Sequence, residues 1–107
     1  MKFSVSQNSL LKPLQQVAGV VERRQTLPVL SNLLLKVSDG VLSMTGTDLE
    51  VEMIGRVEVE VENPGEITVP ARKLVDICKE ISEDSAIQFS LRESGLEISS
   101  GRFRSTL

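Results

Sequence analysis

The chain has 107 residues and a formal net charge of −3, enough for one compact domain with one core and too few for two. Apolar residues make up 40% and charged residues 25%, as in an ordinary globular domain, with no run long enough for a membrane span and no signal-peptide pattern at the N-terminus. Aromatics are 3%, with neither Trp nor Tyr, so the core must be mostly Leu, Val and Ile. Cys78 is the single cysteine and can form no internal disulfide, which makes a reducing, cytoplasmic setting the default.

Charge is unevenly spread. Residues 1–38 carry five basic side chains against one acidic, residues 39–70 carry one against eight, and the remainder balances at six each. An acidic total argues against a simple basic nucleic-acid binder, but a segregated charge leaves room for a local basic face.

Residues 2–5 read as a short strand. Ser6 to Ser9 offer N-cap candidates for a helix whose stripe is Leu10, Leu11, Leu14, Val17 and Val21. Its other face carries Lys12, Gln15, Gln16 and Gly19; Pro13 is expected to be tolerated only near the first turn. Residues 22–29 read as a loop and 30–37 as a strand. Ser38-Asp39-Gly40 is a tight-turn signal, and residues 41–45 return. After a turn at Thr47-Asp48, residues 49–61 alternate as one long strand, with Gly55 expected to mark a bulge or bend.

Asn63-Pro64-Gly65 closes the first half, and the same order begins again. Residues 67–69 make a strand, and Pro70 suits a helix start. Leu74, Ile77, Cys78 and Ile81 form the helix stripe. Strands follow at 86–91, 96–100 and 102–107, with a turn at Glu93-Ser94-Gly95. The expectation is therefore an α+β fold of two β-α-β-β-β halves, helices packed on an antiparallel sheet. Gly40 to Gly46 and Gly95 to Gly101 share one spacing, which supports the repeat. The last strand stops where the first half runs on, suggesting an incomplete C-terminal end or a fragment of a longer protein.

The chain contains no His, so the commonest general base and metal ligand is absent, and it holds no P-loop and no G-x-G-x-x-G. Cys78, with Leu74 and Ile81 on its face, reads as a core thiol rather than a nucleophile. Asp48, Glu50 and Glu52 share one strand face: either a hard-cation site or the solvated side of an amphipathic strand. The pair Arg23-Arg24 can bind phosphate oxygens without reading sequence, or simply be solvated surface. Lys12, Arg72 and Lys73 add positive charge to the helix side, while the acidic surplus lies on the strand side. These features point to a non-catalytic module that needs no cofactor and no metal.

Five stretches then carry a resemblance, in order along the whole chain. They are Leu10-Leu11-Lys12-Pro13-Leu14-Gln15-Gln16-Val17, Arg24-Gln25-Thr26-Leu27-Pro28-Val29-Leu30-Ser31-Asn32, Leu42-Ser43-Met44-Thr45-Gly46-Thr47-Asp48-Leu49-Glu50, Thr68-Val69-Pro70-Ala71-Arg72-Lys73-Leu74 and Ser100-Gly101-Arg102. Together they resemble the first domain of the bacterial sliding clamp, the beta subunit of DNA polymerase III. That resemblance implies a subunit of three similar domains, of which residues 1–107 are the N-terminal one and the second and third are absent. Two subunits would close head to tail into a ring, with helices facing duplex DNA and sheets forming the outer wall. The ring would tether the polymerase, hydrolyse nothing and be opened by a clamp loader; polymerase and loader would bind mainly through the absent domains. It also implies DNA contact at Arg24, with Arg23, Lys12 and Arg72 nearby. It implies a subunit interface at Lys73, Ile77 and Ile81 and at Arg102, Phe103, Arg104 and Leu107. Where the family usually places an aromatic residue, this chain has Ser105; Phe103, two places earlier, shares its strand face. The alternative reading is a β-rich protein-interaction module that does not bind DNA and pairs through its exposed strand edges.

Overall fold

A computed structural model describes residues 1–22, 32–47 and 52–107. The elements in chain order are β1 (Lys2–Ser6), α1 (Gln7–Glu22), β2 (Asn32–Ser38), β3 (Val41–Thr47), β4 (Glu52–Glu58), β5 (Glu60–Asn63), β6 (Gly65–Pro70), α2 (Ala71–Glu80), β7 (Ala86–Arg92), β8 (Gly95–Ser100) and β9 (Phe103–Thr106). The two expected halves are present, the first as β-α-β-β-β-β because its last strand is split and the second as β-α-β-β-β, and the described strands form two sheets rather than one. Their orders are β5-β1-β7-β8-β9 and β4-β3-β2-β6, with every pairing antiparallel.

Each half lends its first strand to the other. β1 pairs with β7 through Phe3↔Phe89 and Val5↔Ile87, and β6 pairs with β2 through Val69↔Leu33 and Ile67↔Leu35. The exchange welds the halves into one core. Phe3 and Phe89 stack across it, ring centroids 4.6 Å apart. Inward side chains of the two sheets then meet Leu10, Leu14, Val17, Ala18 and Val21 of α1 and Leu74, Val75 and Cys78 of α2. Burying each such aliphatic side chain contributes roughly 1.5–3 kcal/mol, so the helix stripes are what hold the helices on the sheets.

The long alternating stretch divides. β4 belongs to one sheet and β5 to the other, and the chain changes sheets at Val59, whose N–H donates to the Gly40 carbonyl at 2.9 Å. Gly55 marks neither bulge nor bend: it pairs in regular register with Met44, on the inward face between Met53 and Val57. A Cβ there would lie 3.0 Å from Val17 Cγ2, so glycine lets α1 seat on the sheet. Gly46 does the same on β3, beneath Val17 and Val21. Gly101, its partner in the shared spacing, instead sits in a turn at φ +58°, so the equal intervals serve different ends. Asp39 and Gly40, both at positive φ, make the two-residue turn that suits the twist of the hairpin.

α1 begins at Gln7, with the Ser6 hydroxyl accepting the Ser9 N–H at 3.4 Å as its N-cap. Pro13 therefore lies well inside the helix, past the first turn, against expectation. The loss of one amide donor is offset by burial of α1, which packs along β3 and β4. Pro70 closes β6 and is the N-cap of α2 rather than its first helical residue.

Candidate nucleic-acid interface

The helices run side by side and antiparallel, and their contact begins with a buried polar clasp. Gln7 is only 3% exposed; its side-chain amide donates to the Cys78 carbonyl at 3.1 Å, in the last turn of α2, where carbonyls lack helical partners. The Gln7 N–H donates to the Ser85 carbonyl at 2.8 Å. Next to it, the Asn8 side chain donates to Asp84 Oδ1 at 2.6 Å, and the Asp84 N–H returns a bond to Asn8 Oδ1 at 3.0 Å. Asp84 adopts φ +64°, a conformation that aspartate tolerates better than most residues and that the reciprocal bonds hold in place. These bonds fix the start of α1 against the end of α2.

With their stripes turned to the sheets, the helices expose Lys12, Gln15 and Gln16 from α1 and Arg72, Lys73, Asp76, Lys79 and Glu80 from α2. Arg72 pairs with Asp76 one turn on, Nε to Oδ1 3.5 Å, both more than half exposed, a contact worth a few tenths of a kcal/mol (~0.3–0.5). Between the helices lies a cleft of about 190 Å³, lined by Gln15 and Ala18 on one side and Arg72, Val75 and Lys79 on the other. Lys79 and Gln15 join this surface without having been singled out in the sequence. The signal was there: Arg72, Val75 and Lys79 fall at i, i+3 and i+7, and so share a helix face.

Two expected DNA-facing residues, Lys12 and Arg72, therefore lie on one helical surface. Arg23 and Arg24, like Asp48 and Glu50, lie outside the described residues. Glu52 is exposed on the edge strand β4, and among the described residues no cluster of three His, Cys, Asp or Glu side chains is placed to hold a metal ion. Cys78 is fully buried, and desolvation pushes its thiol up to about 12, so it stays protonated and unreactive at neutral pH. Nor is any helix among the described residues long and apolar enough to cross a membrane.

The charge contrast between helices and sheets is smaller than the sequence suggested. Among the described residues the helices carry four basic and three acidic residues, the strands five and six. Acidity gathers instead at the outer strands β4 and β5, which hold Glu52, Glu58, Glu60 and Glu62 against Arg56. Across the fold, the last edge strand is basic: β9 carries Arg104, and Arg102 stands in the turn before it.

Residues expected at a subunit interface are distributed unevenly. Lys73 is exposed and Ile77 half-buried, whereas Ile81 is 5% exposed and belongs to the core, so it backs a surface rather than forming one. Along β9 the side chains alternate. Phe103 and Leu107 turn inward and pack against the core, half-buried, while Arg104 turns outward, 3.8 Å from Glu97 Oε1. β9 pairs only with β8 among the described strands, so its far edge is open. Ser105 lies on the same face as Phe103 and pairs with Ile98.

A wider trough of about 760 Å³ lies on the outer face of the β1-β7-β8-β9 sheet, floored by Gln88, Ser90 and Ser99. Its charged rim is self-paired, with Glu97 lying 3.3 Å from Arg92 and near Arg104.

The two-sheet domain with its paired helices matches the fold of solved sliding clamps. The chain superposes on the Pseudomonas aeruginosa DnaN clamp solved bound to griselimycin with a TM-score of 0.92, at 60% identity, covering all of this chain and 29% of that one. On the Caulobacter crescentus polymerase III beta structure the TM-score is 0.94 at 38% identity, again over the whole chain and 29% of that structure. By sequence it is 60% identical to the beta sliding clamp of Pseudomonas putida over its full length, spanning 29% of that protein, and 52% identical to the Vibrio harveyi beta sliding clamp sequence, 74% of which it covers. The family description "DNA polymerase III beta subunit, N-terminal domain" matches residues 1–107. The chain belongs to the DNA polymerase III beta subunit family, as its N-terminal domain.

Proposed function

We propose that this chain is the first of three domains in a processivity clamp, a head-to-tail dimeric ring that encircles duplex DNA and tethers the replicative polymerase in the cytoplasm. It works by enclosure rather than by chemistry. The observation that carries the reading is the shared helical face. α1 and α2 are clasped together at Gln7 and Asn8 and project Lys12, Arg72, Lys73 and Lys79 on the side away from both sheets. Lysines and arginines on such a face meet phosphates and carry no base readout, so contact is electrostatic and blind to sequence. Arg24 and Arg23, which follow α1 in the sequence, are assigned to DNA contact by the family resemblance alone.

The open, basic edge of β9 supports the subunit interface. Strand addition there would supply main-chain hydrogen bonds, and Arg102 and Arg104 favour an acidic partner edge. Polymerase and loader would engage chiefly the domains beyond this one.

In the full-length protein, Lys12→Ala and Arg24→Ala should each weaken DNA retention by similar factors on duplexes of different sequence, with a shallower salt dependence. Loss confined to particular sequences contradicts the assignment.

A further inference from the structure

We infer that the outer face of the β4-β3-β2-β6 sheet is a docking surface for a short amphipathic helix of a partner protein, one that carries acidic residues along one flank.

Among the described residues three large apolar side chains are exposed. Two of them, Leu34 at 36% and Ile54 at 42%, lie on this face, and the third, Leu91, is on β7 of the other sheet. β2 sends Leu33 and Leu35 into the core and β3 sends Leu42 and Met44, so the residues between them point away from it. The ladder then sets Ile54, Thr45, Leu34 and Thr68 in one uncharged row across all four strands. The neighbouring row is Arg56, Ser43, Lys36 and Glu66. Arg56 and Lys36 are exposed, and neither has an ion-pair partner among the described residues; Glu66 faces Lys36 across the ladder without forming one. An apolar line beside two unpaired cations fits an occupant that is apolar on one side and acidic next to it.

Spacing selects a helix. Strands lie about 4.8 Å apart, so Ile54 and Leu34, two strands apart, are separated by about 10 Å, and so are Arg56 and Lys36. Residues seven apart on a helix are about 10.5 Å apart and share a face, whereas an extended chain repeats its same-side residues every ~6.8 Å. A helix laid along the row sets residues i and i+7 over Ile54 and Leu34, with i+3 or i+4 over Thr45 and acidic residues i+1 and i+8 beside Arg56 and Lys36. Glu52, on the other side of Ile54, repels acid there, so only one flank can be acidic and the helix can lie only one way round. A second copy of this chain is not that partner: both of its helices bury their apolar stripes in the core.

The test is an NMR titration of the isotopically labelled 107-residue chain with a synthetic helical peptide of about four turns, carrying leucine at i, i+4 and i+7 and glutamate at i+1 and i+8. A control peptide carries lysine at the two glutamate positions. The methyl signals of Leu34 and Ile54 should move with the glutamate peptide, together with the amides of Lys36 and Arg56, while Lys12 and Lys73 on the helices stay still. The glutamate peptide should bind about fivefold tighter than the lysine peptide or better, and Lys36→Glu combined with Arg56→Glu should reverse that preference. Both substitutions are at exposed positions, so an unchanged circular dichroism spectrum is expected. The full-length protein should show the same preference between the peptides. Equal affinity for both peptides, a silent Leu34 and Ile54, or shifts gathered on the basic helical face would overturn the docking surface. So would a full-length protein that fails to bind the glutamate peptide, because another part of the chain would then cover the row.

Discussion

Gly46→Ala tests how closely α1 must sit on the sheet to hold the helical face in place. A Cβ at this position would lie 2.7 Å from Val21 Cγ2, 3.0 Å from Val17 Cγ1 and 3.1 Å from Leu33 Cδ2. Carbon atoms prefer roughly 3.5–4.0 Å, so the new methyl overlaps three neighbours at once. Two of them belong to α1 and one to the adjacent strand, so relief requires the helix to lift. Overpacking of this kind costs about 1–3 kcal/mol, and replacing a strand glycine with alanine returns about 0.5–1. Three simultaneous overlaps put the overpacking cost in the upper half of its range, so the net loss is about 1–2 kcal/mol. With an unfolding entropy of about 2.1 cal/mol/K per residue, that lowers Tm by about 4–9 °C. Thermal unfolding followed by circular dichroism measures it directly. Val21→Ala removes the closest methyl, so the double variant should be more stable than the two separate losses predict, by about 1 kcal/mol. A Gly46→Ala protein as stable as the parent, or strictly additive losses in the double variant, would refute the close-seating argument.

Two further outcomes concern stability. The Cys78 thiol is raised from 9.0 to about 12 by burial, so below pH 9 it is protonated in both folded and unfolded chains. Above pH 9 only the unfolded chain ionises, and stability should fall by about 1.4 kcal/mol per pH unit; denaturant melts at pH 8 and pH 10 should show this excess loss in the parent and not in Cys78→Ala. Asn8→Ala removes both bonds to Asp84 and should cost about 1–2 kcal/mol in the same melts; an unchanged midpoint would mean that the clasp contributes nothing.

Much of this architecture is written locally. The stripes of α1 and α2, the Asp39-Gly40 turn and the duplicated order of elements follow from periodicity and turn chemistry, and the structure has them. The exchange of first strands between halves is a matter of long-range pairing, and alternation in residues 49–61 is the same whether a strand stays in one sheet or crosses to another at Val59. Gly55 looked like a break because its side chain is missing, yet residues 53, 55 and 57 keep one phase; what the glycine accommodates is a helix distant in sequence. Pro13 shows the same override, since burial of α1 outweighs a local preference. Within the site, Lys12 and Arg72 stood out by charge, whereas Lys79 and Gln15 gain meaning only once two helices are set side by side. Ile81 shared its stripe with Ile77, but the end of α2 turns it into the core.

Enclosure is the claim on which the functional account stands, and retention of the full-length protein on circular and linear DNA tests it most directly. After loading, the protein should remain on a closed circle through a moderate-salt wash and leave once the circle is cut, because a ring slides off a free end. Equal retention on cut and closed DNA would show that contacts alone hold the protein, and would contradict the account.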